Sequence, residues 1–277
     1  MKKLILEGAV ILLLIVGGWL LLSQIPFINP ARFMAMTQKQ QAKLGKLVME
    51  SLTREYTPIE NQPINTALDS IKQKLCANKT LTPDDYHIVL LNYPEVNAFA
   101  LPGNYIIVFK GLVDSARSAD EVAGVLGHEI GHHQEGHIMK RLVKEVGVGI
   151  LLSAIGGKAS GQIIREIGGK LLSTSFDRSQ EREADAFAVK LLQQNHIDPA
   201  GLAHFLARLP EGPAVMAKTS ELFSTHPHSK DRAADILKLA QAHQVAYQPV
   251  LPPNYWTTVT RQMAWAIPDS TTQTAHP

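Results

Sequence analysis

Two histidines four residues apart, with a glutamate directly after the first, constrain this chain more than any other stretch: Gly127-His128-Glu129-Ile130-Gly131-His132. On a helix, positions four apart lie on one face, so His128 and His132 can hold one metal ion between them. Glu129 then projects beside that ion. A catalytic zinc site uses three protein ligands and keeps one position for water, and a carboxylate next to that water can take its proton. The H-E-x-x-H pattern therefore reads as the metal-binding half of a zinc peptidase, provided that the segment is helical and a third ligand lies elsewhere. With 11 histidines in 277 residues, the pattern can also arise by chance, so its surroundings decide.

Upstream, Ser118-Ala119-Asp120-Glu121 has the Ser-x-x-Glu form of a capping box and opens an apolar pattern through Val122, Val125, Leu126 and Ile130. The motif thus falls in mid-helix. Gly124, Gly127 and Gly131 each cost about 1 kcal/mol of helix propensity relative to alanine; they read as room for close packing, or else as a loosely packed helix. A second helix opens at Ser179-Gln-Glu-Arg-Glu-Ala-Asp185 and continues through Phe187, Val189, Leu191 and Leu192. Glu181 and Asp185 share one of its faces, so one can bind the metal while the other accepts the remaining N–H of a ligand histidine. Glu183 points about 200° away and reads as solvated. His133 and His137 also lie four apart, on a different face from the first pair; they read as solvated, with a second metal site as the alternative.

The rest of the chain frames this centre. At 45% hydrophobic and 19% charged it can bury a sizeable core and is no disordered chain. A formal charge of +2, with no basic run interleaved with aromatics, argues for no nucleic-acid partner. Cys76 is alone, which excludes a disulfide framework and a cysteine zinc site. Lys2 and Lys3 precede an apolar run from Leu4 to Leu22, interrupted by Glu7. Residues 1–28 are therefore expected to be a membrane anchor with the bulk of the chain outside, a cleaved signal segment being the competing reading. Residues 29–80 are expected to form helices with buried stripes at Leu44, Leu47, Val48 and Leu52 and at Ile64, Leu68, Ile71 and Leu75. Tyr86–Leu91 and Tyr105–Phe109 are β-rich, and Asn97–Asn104 enters the second through a Pro-Gly-Asn turn, giving a small antiparallel sheet. Its edge could pair with an extended substrate, or it is an ordinary hairpin on the active helix. Residues 138–176 read as two apolar, glycine-containing helices that gate a cleft, touch a membrane surface or close the core. Residues 246–277 form a tail without visible chemistry.

Taken together, His128-Glu-Ile-Gly-His132, Glu181-x-x-Ala-Asp185, Thr225-His226-Pro227 with Arg232 beyond it, and Asn97-Ala-Phe-Ala-Leu-Pro-Gly resemble the zinc metallopeptidase family of HtpX and the CAAX prenyl proteases. Within it the chain is most similar to the compact BepA-like cell-envelope branch. The resemblance covers roughly half the chain, from about Tyr86 to Arg232, and the four motifs stand in the family's order. It implies a mostly α, α+β fold with a zincin-type peptidase domain over residues 81–245, a small antiparallel sheet and two metal-ligand helices. It implies one zinc ion on His128, His132 and Glu181, with Glu129 catalytic and Asp185 orienting a ligand. It also implies that Asn97, Ala98 and Phe99 align substrate on a strand and that His226 and Arg232 lie at the cleft. His226 suits either hydrogen bonding to the oxyanion or transient occupation of the open zinc position. Asp177 departs from the Ser or Asn usual among relatives. The expected activity is endoproteolysis of unfolded or misassembled envelope proteins, on the periplasmic side of the bacterial inner membrane, or in soluble form after signal cleavage. The alternative is a latent protease acting mainly as a chaperone-like binding factor.

Overall fold

The computed structural model describes residues 11–13, 16–17, 37–78, 81–209, 226, 229–242 and 245–266. The expected anchor, residues 1–28, lies outside these except at 11–13 and 16–17. Among the described residues no helix is long and apolar enough to cross a membrane.

Helix α1 (Gln38–Glu55) starts at a reciprocal capping box between Thr37 and Gln40, and α2 (Gln62–Leu75) starts at an Asn61 cap. Three strands follow, β1 (His87–Leu91), β2 (Ala98–Leu101) and β3 (Tyr105–Phe109). The helices that follow among the described residues are α3 (Lys110–Ser115), α4 (Ala119–Gln134), α5 (His137–Glu145), α6 (Val148–Ile155), α7 (Gly161–Ser173), α8 (Arg178–Gln194), α9 (Ala200–Arg208), α10 (Ser229–Gln241) and α11 (Tyr255–Ala266). The architecture is α+β and mostly α, as expected.

The sheet is mixed, not antiparallel. Its order is β1-β3-β2, with β2 antiparallel to β3 and β1 parallel to it. Gly103 and Asn104 take φ of 72° and 63°, a tight turn that folds β2 straight back onto β3. β1 takes the other side of β3. A side chain at Gly103 would also sit 2.4 Å from the Cα of Ala42 in α1, so the turn is pressed against that helix.

Alternation along β3 divides the interior. Ile106 and Val108 join a core with α2, α4, α8, α9 and α11, whereas Ile107 and Phe109 join a second core with α1, α5, α6 and α7. Residues 138–176 are three helices and not two, because Gly147, at φ 87°, breaks the path in a conformation that L side chains avoid. Leu151, Ala154, Ile164, Ile167 and Leu171 from this segment are buried with Leu44, Val48 and Leu52 of α1. Of the expected tail, α11 buries Trp256, Val259 and Met263 in the first core, and the Trp256 indole N–H donates to the Ala116 carbonyl at 3.1 Å.

Candidate metal centre

Helix α4 is buried from Glu121 to His132. Ser118 Oγ accepts the Glu121 N–H at 3.3 Å, but the other half of the expected box is not made. The Glu121 carboxylate instead accepts the Arg117 N–H at 2.8 Å and both guanidinium nitrogens of Arg208 at 2.6 Å, which ties the start of α4 to α9. The helix glycines serve close packing: a Cβ at Gly124 would lie 2.6 Å from the Leu202 Cβ of α9, and one at Gly131 would lie 2.9 Å from the Ala184 carbonyl of α8. Helix α8 begins at Asp177, whose Oδ1 accepts the N–H groups of Ser179 and Gln180 at 2.9 Å while Gln180 Oε1 accepts the Asp177 N–H. That cap sets the register of Glu181 in the first turn.

The two helices meet at a buried cluster. His128, His132, Glu181 and His226 each offer one ligand atom, all within 4.8 Å of one another. His128 Nε2 stands 3.0 Å from His132 Nε2 and 3.2 Å from His226 Nδ1, and His226 Nδ1 stands 3.0 Å from Glu181 Oε1. Behind the cluster, Asp185 Oδ1 lies 2.9 Å from His128 Nδ1. Arg232 grips Asp185 through Nε and Nη2, at 2.8 and 2.7 Å, and pairs with Glu181 through Nη1. Glu129 Oε2 accepts the backbone N–H of Ala100 at 2.9 Å. Its Oε1 is buried without a hydrogen-bond partner, 3.5 Å from His226 Nε2, which is equally unpartnered.

These groups fit a cation. With Nδ1 of His128 engaged by Asp185 and Nδ1 of His132 by His137, both Nε2 atoms turn to the centre of the cluster, where each can offer its lone pair to a cation. The charges agree. Burial opposes the ionised form of Glu181, but His226 and Arg232 outweigh it and hold the carboxyl well below its usual range. Asp185 is lowered in the same way, burial being overcome by Arg232 and His128. Burial and then His128 push His132 well below the usual imidazole value, leaving it in the neutral form that binds metals. Burial and Arg232 press His128 downward too, but Asp185 and Glu181 outweigh them and raise it. The carboxylates of Glu181 and Asp185 are thus held ionised and His132 neutral, which suits a cation.

Of the residues singled out in the sequence, the structure brings together His128, His132, Glu181, His226, Glu129, Asp185 and Arg232. Asn97 faces elsewhere: its carbonyl accepts the Phe109 N–H and its Nδ2 donates to Glu95. The Phe99 ring packs on Phe109 in the second core. Strand β2 is an edge strand, yet all four of its residues are buried, so the open edge expected for substrate is covered here. Ala100, which sequence reasoning passed over, is the residue of β2 that touches Glu129.

His137 corrects the reading of it as solvated, whereas Glu183 is exposed as expected and still reaches His137 with one oxygen. His137 is fully buried, with Nδ1 3.0 Å from His132 Nδ1 and Nε2 2.9 Å from Glu183 Oε2. His133 is not its partner and sits against the Tyr86 ring. Phe176 was also missed as a site residue: its ring stacks on His132, with centroids 3.6 Å apart and planes 16° apart, under the guanidinium of Arg141.

Comparison with known proteins places these residues in context. The model of peptidase family M48 matches residues 63–240. Metalloprotease LoiP of Escherichia coli (strain K12) is 35% identical over 178 residues, covering 61% of this chain and 68% of that protein. The beta-barrel assembly-enhancing protease of Yersinia pestis is 30% identical over 192 residues, 65% of this chain and 39% of that protein. The mitochondrial metalloendopeptidase OMA1 of Schizosaccharomyces pombe is 25% identical over 220 residues, 78% of this chain and 65% of that protein. The matched region thus spans about two thirds of LoiP and of OMA1, but well under half of the assembly-enhancing protease.

Proposed function

Because the chain belongs to peptidase family M48 and is a metallopeptidase, we propose that it is a zinc-dependent endopeptidase of the bacterial cell envelope that cleaves unfolded or misassembled proteins. The observation that carries this reading is the unpartnered Glu129 Oε1, buried beside a four-donor cluster. His128, His132 and Glu181 hold the zinc, a donor set typical of catalytic sites. When bound, the ion makes a water easier to deprotonate and polarises the scissile carbonyl.

Glu129 is the base. Its Oε2 is pinned by the Ala100 N–H, so Oε1 points into the site, takes a proton from the attacking water and returns it to the departing amine. Asp185 keeps the His128 proton on Nδ1, and Arg232 fixes Asp185 and Glu181 together. Asn97, Ala98 and Phe99 align substrate through the backbone of this segment once the covered edge of β2 opens, and the Phe99 ring, packed on Phe109, takes no part. The anchor at residues 1–28 and a periplasmic catalytic domain remain part of the proposal. The relative named as a beta-barrel assembly-enhancing protease supports an envelope location.

His226 favours a second reading, a latent enzyme that mainly binds unfolded chains. Its Nδ1 lies among the ligand atoms, 3.2 Å from His128 Nε2 and 3.0 Å from Glu181 Oε1, and would compete with a water for the metal. One assay separates the readings: degradation of an unfolded test protein by zinc-loaded enzyme, beside Glu129→Gln and His226→Ala. Cleavage lost in Glu129→Gln, with zinc still bound, is the expected result. Cleavage that persists in that variant removes Glu129 as the base. A silent wild type that becomes active on His226→Ala establishes latency.

A further inference from the structure

His128 and His132 are supported differently from behind. His128 meets a carboxylate directly, whereas the nitrogen that His132 turns away from the cluster meets another imidazole. We propose that His137 and Glu183 form an orienting relay for His132, in which His132 Nδ1–H donates to His137 Nδ1, and His137 Nε2–H donates to Glu183. The inference rests on the reading of His132 as a metal ligand.

The direction of the relay follows from that role. An imidazole that binds a cation through Nε2 carries its proton on Nδ1. His132 Nδ1 is then a donor, 3.0 Å from His137 Nδ1, which must accept. A neutral imidazole that accepts at Nδ1 carries its proton on Nε2. That atom lies 2.9 Å from Glu183 Oε2, an acceptor. Both ring nitrogens of His137 are therefore used, and each proton has one place to be. His137 is wholly buried, so water does not reach either of its ring nitrogens.

The chain path explains how a residue five positions after His132 comes to lie behind it. Helix α4 ends at Gln134, and Gly136 takes φ 69°, a left-handed turn that reverses the backbone. Open space surrounds the position of its missing Cβ, so conformation and not crowding calls for glycine. His137 is then the first residue of α5 and folds beneath His132. Glu183 comes from α8, two residues after the ligand Glu181 and two before Asp185. One helix thus anchors both ligand histidines, His128 through Asp185 and His132 through His137.

The test is zinc affinity of the full-length protein, by competition with a chelator of known strength, together with the visible absorption of the Co2+-loaded protein. His137→Phe should raise the zinc Kd about 10–100-fold and change the Co2+ bands, the usual effect of losing an orienting partner. His137→Asn, whose amide oxygen can stand where Nδ1 stood, should recover much of that loss. Glu183 is half exposed, so Glu183→Ala should fold normally, weaken zinc binding by a smaller factor, and cost nothing further in the His137→Phe background. Unchanged affinity in His137→Phe, no recovery by Asn, or an equal Glu183→Ala effect in both backgrounds overturns the relay. A wild type that binds no zinc overturns the metal reading itself and takes the relay with it.

Discussion

Asp177 holds the start of α8 with one carboxylate oxygen on two backbone N–H groups, and α8 carries Glu181 and Asp185. Asp177→Ala should lower stability by about 1 kcal/mol, the usual cost of losing an N-cap. Hydrogen bonds from Ser179 and Gln180 lower the Asp177 pKa from its ordinary 3.8. A carboxylate lowered on folding stabilises the native state above its unfolded value, and the contribution fades as pH falls through the folded one. Denaturant unfolding of both proteins at about pH 7 and about pH 3 should therefore show the gap narrowing in acid; a constant gap would show that the charge is not what caps the helix. At this scale the sequence was legible where spacing on one helix decides the geometry: His128 with His132, and Glu181 with Asp185. It misled for His137, because a helical wheel gives a direction on its own helix and cannot show that the Gly136 turn folds this residue beneath His132.

Helices α4 and α8 touch along glycines, and two of these separate packing from propensity. A Cβ at Gly131 would lie 2.9 Å from the Ala184 carbonyl and 3.1 Å from its Cα. Gly131→Ala must push α8 away, so it should cost about 1–3 kcal/mol and weaken zinc binding, since α8 holds Glu181. A Cβ at Gly127 would meet Ala188 no closer than 3.7 Å. Gly127→Ala should be neutral or stabilise by up to about 1 kcal/mol from helix propensity. Thermal unfolding and zinc titration of the two variants check this; equal effects would sink the close-packing account. The helices themselves were readable from caps and apolar stripes, which are local signals. Strand pairing was not, because β1 ends at Leu91, seven residues before the β2–β3 hairpin starts at Ala98, and nothing within β1 says which edge it joins or in which direction. The break at Gly147 was likewise hidden, since a glycine in an apolar run looks the same whether its φ is negative or positive.

For the whole molecule, two cores flank one small sheet, and the metal centre joins helices that belong chiefly to the first. A ligand that binds only the folded state stabilises it by about 2.7 kcal/mol at a hundredfold excess over Kd. Stripping zinc with a chelator should therefore lower Tm, and adding zinc back should restore it; a Tm indifferent to both would mean that the cluster holds no metal. Chain-level organisation was the least legible part of the sequence. The division into two cores follows from the alternation along β3, and α11 joins the first core through Trp256, Val259 and Met263, contacts that no local pattern announces. The donors of the centre are scattered too, with His128 and His226 separated by 98 positions. No short segment of the chain can assemble them. Under the proposed cleavage of unfolded chains, a nascent or partly folded copy therefore has nothing with which to cut its neighbours, and the means of attack arises only once the copy has ceased to be the kind of chain it would attack.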